Sequence, residues 1–378
     1  MSQTIVFGAG MVGAVMALDL AQDADRTVCL VDVDEDRLAE IAKQDARLKV
    51  LRCDLSRSSD ISELAEEADL VLGAMPSRLG LETLRAVVST GTPYCDITFT
   101  PEDAWSLDSL AHERGSVAVV DCGVAPGMTN LLAGLAARRL DPCRSIEMRV
   151  GGLPKHPELP WLYKAGFSPF DVIEEYTRPA RIIQDGQLVT REALSGSVML
   201  EFPEVGTLEA FNTDGLRSLT ETLDVPNMVE QTLRYPGHRD LVWAMRETGL
   251  FSNEPLQVGD GVVTPREVTC AALFPKWAYE PDEVDITVLR VEARGDVDGV
   301  PTTMTWELYD ELDPKTGWTS MARTTAFPAT IIARLIERGV ISEPGVYAPE
   351  RLADNDDVIE TLFTELQNRG VIYRETVG

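Results

Sequence analysis

Residues 4–32 read TIVFGAGMVGAVMALDLAQDADRTVCLVD, and this stretch decides the fold. A short apolar run (4–7) meets three glycines, Gly8, Gly10 and Gly13, and then an amphipathic segment carried by Val12, Val15, Met16 and Leu20. A second apolar run (28–31) ends in Asp32. The glycines serve three separate needs, which are a tight turn, close approach of backbone to a pyrophosphate, and tight packing of helix on strand. Met11 and Val12 open the helix, whose free amides and positive dipole end suit an anion. Asp32 stands about 20 residues on, where an acid bonds the ribose 2′-hydroxyl of a dinucleotide. The plainer alternative is a glycine-rich turn with Asp32 capping the next helix. Asp34, Glu35 and Asp36 crowd the same strand end with Arg37 as the base beside them. They repel a 2′-phosphate, so NAD is expected in preference to NADP.

Outward from this unit the same pattern recurs. Apolar runs at 49–51, 70–72, 93–97 and 117–120 alternate with helical patterns such as Leu81, Leu84 and Val88. Six strands separated by helices predict a doubly wound parallel (Rossmann) sheet, an α/β fold. Asp54 after the third strand can face the adenine edge or simply hold a turn. Ala74, Met75 and Pro76 follow the fourth strand, where a cofactor crosses the carboxyl ends. Beyond residue 123 the pattern changes. A helix is expected from Pro126 through Leu135, then strands at 146–150, 199–202, 207–211, 228–235, 285–292 and 303–309. Asp185–Gly186 marks a hairpin turn, and GDVDGV joins the last two strands as an antiparallel pair. A second, α+β domain on an open, mostly antiparallel sheet is expected over residues 124–326, after a dinucleotide-binding domain over 1–123. Helical patterns return at 329–338 and 358–369.

The length of 378 residues fits two or three domains of about 150 residues each. With 44% apolar and 25% charged residues the chain is globular, not disordered. A net charge of −28 argues against nucleic-acid and anionic-membrane partners, which are reached through basic patches. The acidic surface fits either plain solubility or a salty cytoplasm where screening removes self-repulsion. No apolar run approaches a membrane span, and the first residues run straight into a strand without a basic leader. The six cysteines lack CxxC spacing and read as reduced core residues, so a cytoplasmic location is expected. Three histidines without HExxH leave no expected metal site. The open second sheet needs cover, so a homodimer or homotetramer is expected.

DCGVAPGMTN (121–130), GGLPKHPELP (151–160), Tyr163 with Phe167–Ser168, EYT (175–177), LEAF (208–211), RYPGH (234–238) and MARTTA (321–326) carry a further signal. With the N-terminal glycines they resemble the saccharopine dehydrogenase family, most of all its lysine 6-dehydrogenase branch. Tyr163–Lys164 and the stretch after Arg234 also resemble glutamate-forming saccharopine reductases. The resemblance implies nicotinamide-dependent oxidation of a C–N bond in an amino acid, in that branch oxidative deamination of the lysine ε-amine. It also implies that residues 327–378 return to the first domain. The alternatives are reductive condensation of the saccharopine or carboxynorspermidine type, or a non-catalytic cofactor-binding regulator.

Such chemistry needs a base to free the amine lone pair, a carboxylate to attract the substrate cation, and an arginine to grip its carboxylate. Asp96 and Asp121 end strands five and six and are candidates for holding the amine, or else cap helices. Tyr163, Lys164 and His238 are the base candidates, with a surface or packing role as the alternative for a lone His after a strand. Thr129 and Asn130, with Gly127, open a helix that can face substrate or cofactor amide. Arg234 and Arg323 are the carboxylate candidates, or else partners of this chain's own acids.

Overall fold

The computed structural model describes residues 2–100 and 102–378. They form two compact units, one holding the chain to Arg138 and Ala322–Ile372, the other Arg139–Met321 and Tyr373–Gly378. In the first unit the alternating pattern folds into β1 (Ser2–Phe7), β2 (Arg26–Asp32), β3 (Lys49–Arg52), β4 (Leu70–Gly73), β5 (Tyr94–Asp96) and β6 (Val117–Val119). Every pairing among them is parallel. The strand order reverses between β1 and β4, the switch point where such sheets bind ligands at their carboxyl ends. Ile5, Phe7, Val31, Val71, Val87 and Ala118 fill the core on one side of the sheet.

The second unit contains β7 (Cys143–Pro154), β8 (Ala180–Gln184), β9 (Gln187–Arg191), β10 (Val198–Phe202), β11 (Gly206–Asn212), β12 (Met228–Arg234), β13 (Leu256–Val258), β14 (Gly261–Val263), β15 (Asp285–Val297) and β16 (Val300–Glu311). The sheet is antiparallel apart from the β12–β7 pair. Both expected hairpins form, with Asp185–Gly186 and Asp298–Gly299 at positive φ. Two consecutive positive φ values are what a two-residue turn needs to match strand twist.

Two short strands depart from the sequence reading. β17 (Gly345–Tyr347) pairs with β6 and makes the nucleotide sheet seven-stranded, not six. β18 (Tyr373–Val377) pairs with β16 in the second unit, so the tail does not return whole to the first. The helix Met128–Arg139 starts two residues later than expected because Gly127 has φ +139, outside helical space. That helix lies almost wholly in the first unit, so the contact boundary falls at Arg138 rather than 123. Across the described residues no helix is long and apolar enough to cross a membrane.

Inside the first unit, three helices are tied by buried charge. Asp19 on Met11–Leu20 accepts from Arg334 (2.6 Å) and Thr330 (2.7 Å) on Ser320–Glu337 and from Arg369 (2.9 Å) just past Asp356–Asn368. Arg334 also forks onto Asp23 at 2.9 and 3.0 Å. Burial pushes the Asp19 carboxyl up, but Arg334 and Arg369 outweigh it and hold it below its ordinary value.

Candidate active site

The phosphate loop of the first unit has the geometry its glycines predict. Gly8 has φ +96, and a Cβ there would collide with Ala74 O. A Cβ on Gly13 would collide with Gly8 O, while around Gly10 there is open space. No side chain caps the helix Met11–Leu20, so the first-turn amides of Met11, Val12 and Gly13 are left for an anion. Asp32 at the end of β2 accepts from Ala9 N (2.6 Å) and Asp34 N (2.9 Å), which fixes the loop and its own carboxylate together. This cradle fits a dinucleotide pyrophosphate. Arg37 donates to Ala9 O at 3.2 Å and Arg52 to Val33 O at 3.3 Å, so two cations stand near Asp32. Ala74 N donates to Phe7 O and Met75 N to Thr98 Oγ, which places both at the carboxyl edge between β1 and β5. Asp54 is exposed and accepts from Ser56 N, the turn role of its two readings.

Along the same edge the structure brings Asp96 and Asp121 together. Both are buried, and Cys122 N donates to Asp96 O at 2.7 Å. Asp96 Oδ1 accepts from Thr98 N (2.8 Å) and Thr98 Oγ (2.5 Å), so a proton on this acid resides on Oδ2. Burial raises the Asp96 carboxyl, the Thr98 bonds pull it back, and Asp121 raises it again, to about 7. Such an acid exchanges a proton freely at neutral pH. Thr129 and Asn130 are fully buried, and Asn130 Oδ1 accepts from Gly127 N and Thr129 Oγ, both at 3.1 Å. Their side chains brace the turn rather than offer themselves to substrate. Arg323 donates to Arg369 O at 2.9 Å, at the end of a helix of its own unit.

The base candidates gather in the second unit. His238 Nδ1 lies 2.8 Å from Trp161 O, a carbonyl that can only accept, so Nδ1 carries the hydrogen. Its Nε2, 2.9 Å from the Tyr176 hydroxyl, must then accept. Tyr176 Oη in turn accepts from Arg234 Nε at 3.1 Å. Burial, with Arg234 adding to it, pushes the imidazole down to about 3. Both ring nitrogens are spoken for, so His238 is a neutral link in a hydrogen-bonded chain and not a free base. Arg234 is likewise committed, to Glu175 at 2.9 Å and Leu233 O at 2.9 Å, with the Tyr163 ring 4.5 Å away. Its reading as a carboxylate grip gives way to its alternative, pairing with an acid of the chain. Lys164 Nζ bonds Ala278 O (2.9 Å) and pairs with Glu283 (3.0 Å), a charged staple rather than a base. Tyr163 is buried against Trp277 and His238.

Sequence reasoning missed Tyr176, Glu175 and Trp277, which hold this cluster, and Glu230, whose burial raises it to about 8 while Thr213 donates to it at 2.6 Å. The EYT triplet is visible as a motif, but nothing in its spacing shows that its tyrosine meets RYPGH.

Comparison with known proteins finds two family matches that together run along most of the chain. The Saccharopine dehydrogenase NADP binding domain family matches residues 4–119, and the Saccharopine dehydrogenase C-terminal domain family matches residues 123–371. The carboxynorspermidine synthase of Vibrio cholerae is 26% identical, over 94% of this chain and 93% of its own. The NADP(+)-dependent, L-glutamate-forming saccharopine dehydrogenase of Schizosaccharomyces pombe is 22% identical, over 84% and 87%. The apo L-Glu-forming saccharopine dehydrogenase of Saccharomyces cerevisiae shares the fold, with TM-score 0.82 at 19% identity and full coverage of both chains.

Proposed function

The chain belongs to the saccharopine dehydrogenase family, and from that premise we propose that it is an oxidoreductase forming or cleaving the C–N bond of a secondary amine built on an amino acid. The observation that carries the reading is the buried Asp96–Asp121 pair at the carboxyl edge of the nucleotide sheet. In the reductive direction an amino-acid amine adds to an aldehyde, and the carbinolamine loses water only when its hydroxyl is protonated. Asp96, balanced near neutrality, supplies that proton from Oδ2 and takes one back in the oxidative direction. Asp121 supplies a negative charge beside the developing iminium. A nicotinamide dinucleotide on the glycine loop supplies or accepts the hydride. The Vibrio relative is by name a carboxynorspermidine synthase, and the Schizosaccharomyces relative is by name a saccharopine dehydrogenase that forms L-glutamate.

A second reading, oxidative deamination of the lysine ε-amine, is supported by the DCGVAPGMTN and RYPGH stretches. Absorbance of the reduced cofactor, followed with lysine alone, with saccharopine, and with amine–aldehyde pairs, separates the two. Turnover with lysine alone and none with the others sinks the lead reading. For the cofactor we infer NAD, supported by the Asp32 carboxylate at the loop and the acids after it, with affinity about tenfold above NADP. Arg37 and Arg52, together with the NADP-binding description of the matching family, support the opposite choice. Fluorescence titration with both cofactors decides, and equal or reversed affinities remove the NAD assignment.

A further inference from the structure

Gly73 ends β4 and lies in register with Asp96 on β5. Tyr94 and Asp96 are two residues apart on one strand, so their side chains leave the sheet on the same face. A Cβ on Gly73 would collide with Tyr94 Oη and lie 2.7 Å from Asp96 Oδ1. Hydroxyl and carboxylate thus occupy the space a side chain at 73 would take. Tyr94 is completely buried, and its hydroxyl makes no hydrogen bond of good geometry, although a buried donor left unserved costs about 1–3 kcal/mol. The carboxylate of Asp96 is the polar group beside it.

We propose that Gly73 and Tyr94 are positioning residues for the acid at Asp96: the glycine leaves a seat, and the Tyr94 hydroxyl, donating to the ionised carboxylate, fixes its orientation and its proton affinity. The proposal rests on the reading of Asp96 as the proton-handling group. The titratable and polar groups facing that carboxyl are Tyr94 on β5, Thr98 in the loop after it, and Asp121 and Cys122 after β6. None of these is a cation, so burial and a second acid that repels the anion stand against the donors that hold it. A donor favours the ionised form and a neighbouring carboxylate disfavours it. The two effects therefore have opposite signs when removed.

The test is a titration of the full-length chain by infrared difference spectroscopy, following the carbonyl stretch of protonated Asp96 with D96N as the blank. Y94F should move the midpoint up by about one pH unit and D121N should move it down. The pH dependence of kcat/KM should shift with the infrared midpoint, while cofactor affinity stays unchanged in Y94F. G73A, which forces hydroxyl and carboxylate out of the seat, should lower kcat about 100-fold. An infrared midpoint unmoved by Y94F overturns the proposal. So does full turnover in D96N, because a seat for an unused acid positions nothing. Failure of the substrate reading looks different: no turnover with any amine–aldehyde pair, but an infrared midpoint that still moves with Y94F.

Discussion

Arg334 of the first unit and Arg234 of the second are both buried, and the two are stabilised in opposite ways. Arg334 in the nucleotide unit meets two carboxylates, Asp19 and Asp23, and its charge is balanced by charge. Arg234 in the second unit meets one partly buried carboxylate, Glu175, and otherwise a hydroxyl, a carbonyl and the face of Tyr163. The acids respond accordingly. Asp19 is held ionised below its usual range, whereas burial wins at Glu175 and raises it despite Arg234. Where ions answer ions, three helices distant in sequence are locked. Where dipoles answer an ion, its field is left over, and it adds to the burial that keeps His238 neutral. Arg334 is thus a clasp and Arg234 a source of polarisation.

The comparison can be broken most directly at Asp19. D19A leaves Arg334 and Arg369 without their shared acid and should cost about 3–5 kcal/mol in denaturant unfolding; a loss under about 1 kcal/mol would mean the clasp is decorative. Next in size is an acid effect at His238. The unfolded chain takes up a proton near pH 6.5 that the folded one refuses until about 3. Stability from this group is therefore complete above pH 6.5 and falls as the pH drops toward 3, by about 1.4 kcal/mol per pH unit. H238Q should flatten that slope relative to wild type in unfolding curves taken between pH 7 and 4. Asp96 contributes with the other sign, its share declining as pH rises from about 4 to about 7, so D96N should steepen the net rise over that window. Y176F removes an acceptor from Arg234 and a donor from His238 at once, and should cost about 1–3 kcal/mol. The smallest effect belongs to the exposed Arg374–Glu204 pair at 3.0 Å, where R374A should change the stability by no more than about 0.5 kcal/mol.

Much of the fold is legible in the sequence, and for identifiable reasons. The glycine loop, β1 to β6 and both Asp-Gly hairpins announce themselves through local rules, the 3.6 and 2.0 periodicities and the need for positive φ. β17 and β18 do not, because they are placed by pairing with strands more than 60 residues away. Within the candidate site, Asp96 and Asp121 are legible as strand ends. His238 reads as either a base or a packing residue, and only tertiary structure decides, by supplying Trp161 O and Tyr176 to its two nitrogens. Gly73 and Tyr94 are legible in principle: a glycine closing a buried strand, and an aromatic two residues before an acid, are both local signals.

The nucleotide unit is assembled from the two ends of the chain, with the whole of Arg139–Met321 between them. On a ribosome this imposes a waiting time. Asp19 leaves the exit tunnel early, but Arg334, Arg369 and the strand that covers β6 emerge more than 200 residues later. At roughly 5–20 residues per second, that interval is on the order of ten seconds to a minute. For that time the first six strands carry an uncompensated acid and an open edge, while most of the intervening unit can already condense. Nascent chains stalled with residue 320 just clear of the tunnel should therefore be cut by protease in the first 138 residues and spared in the sheet that follows. Chains stalled with residue 372 clear of the tunnel should be spared in both, and equal resistance at the two stall points would show that the opening segment folds without its late partners.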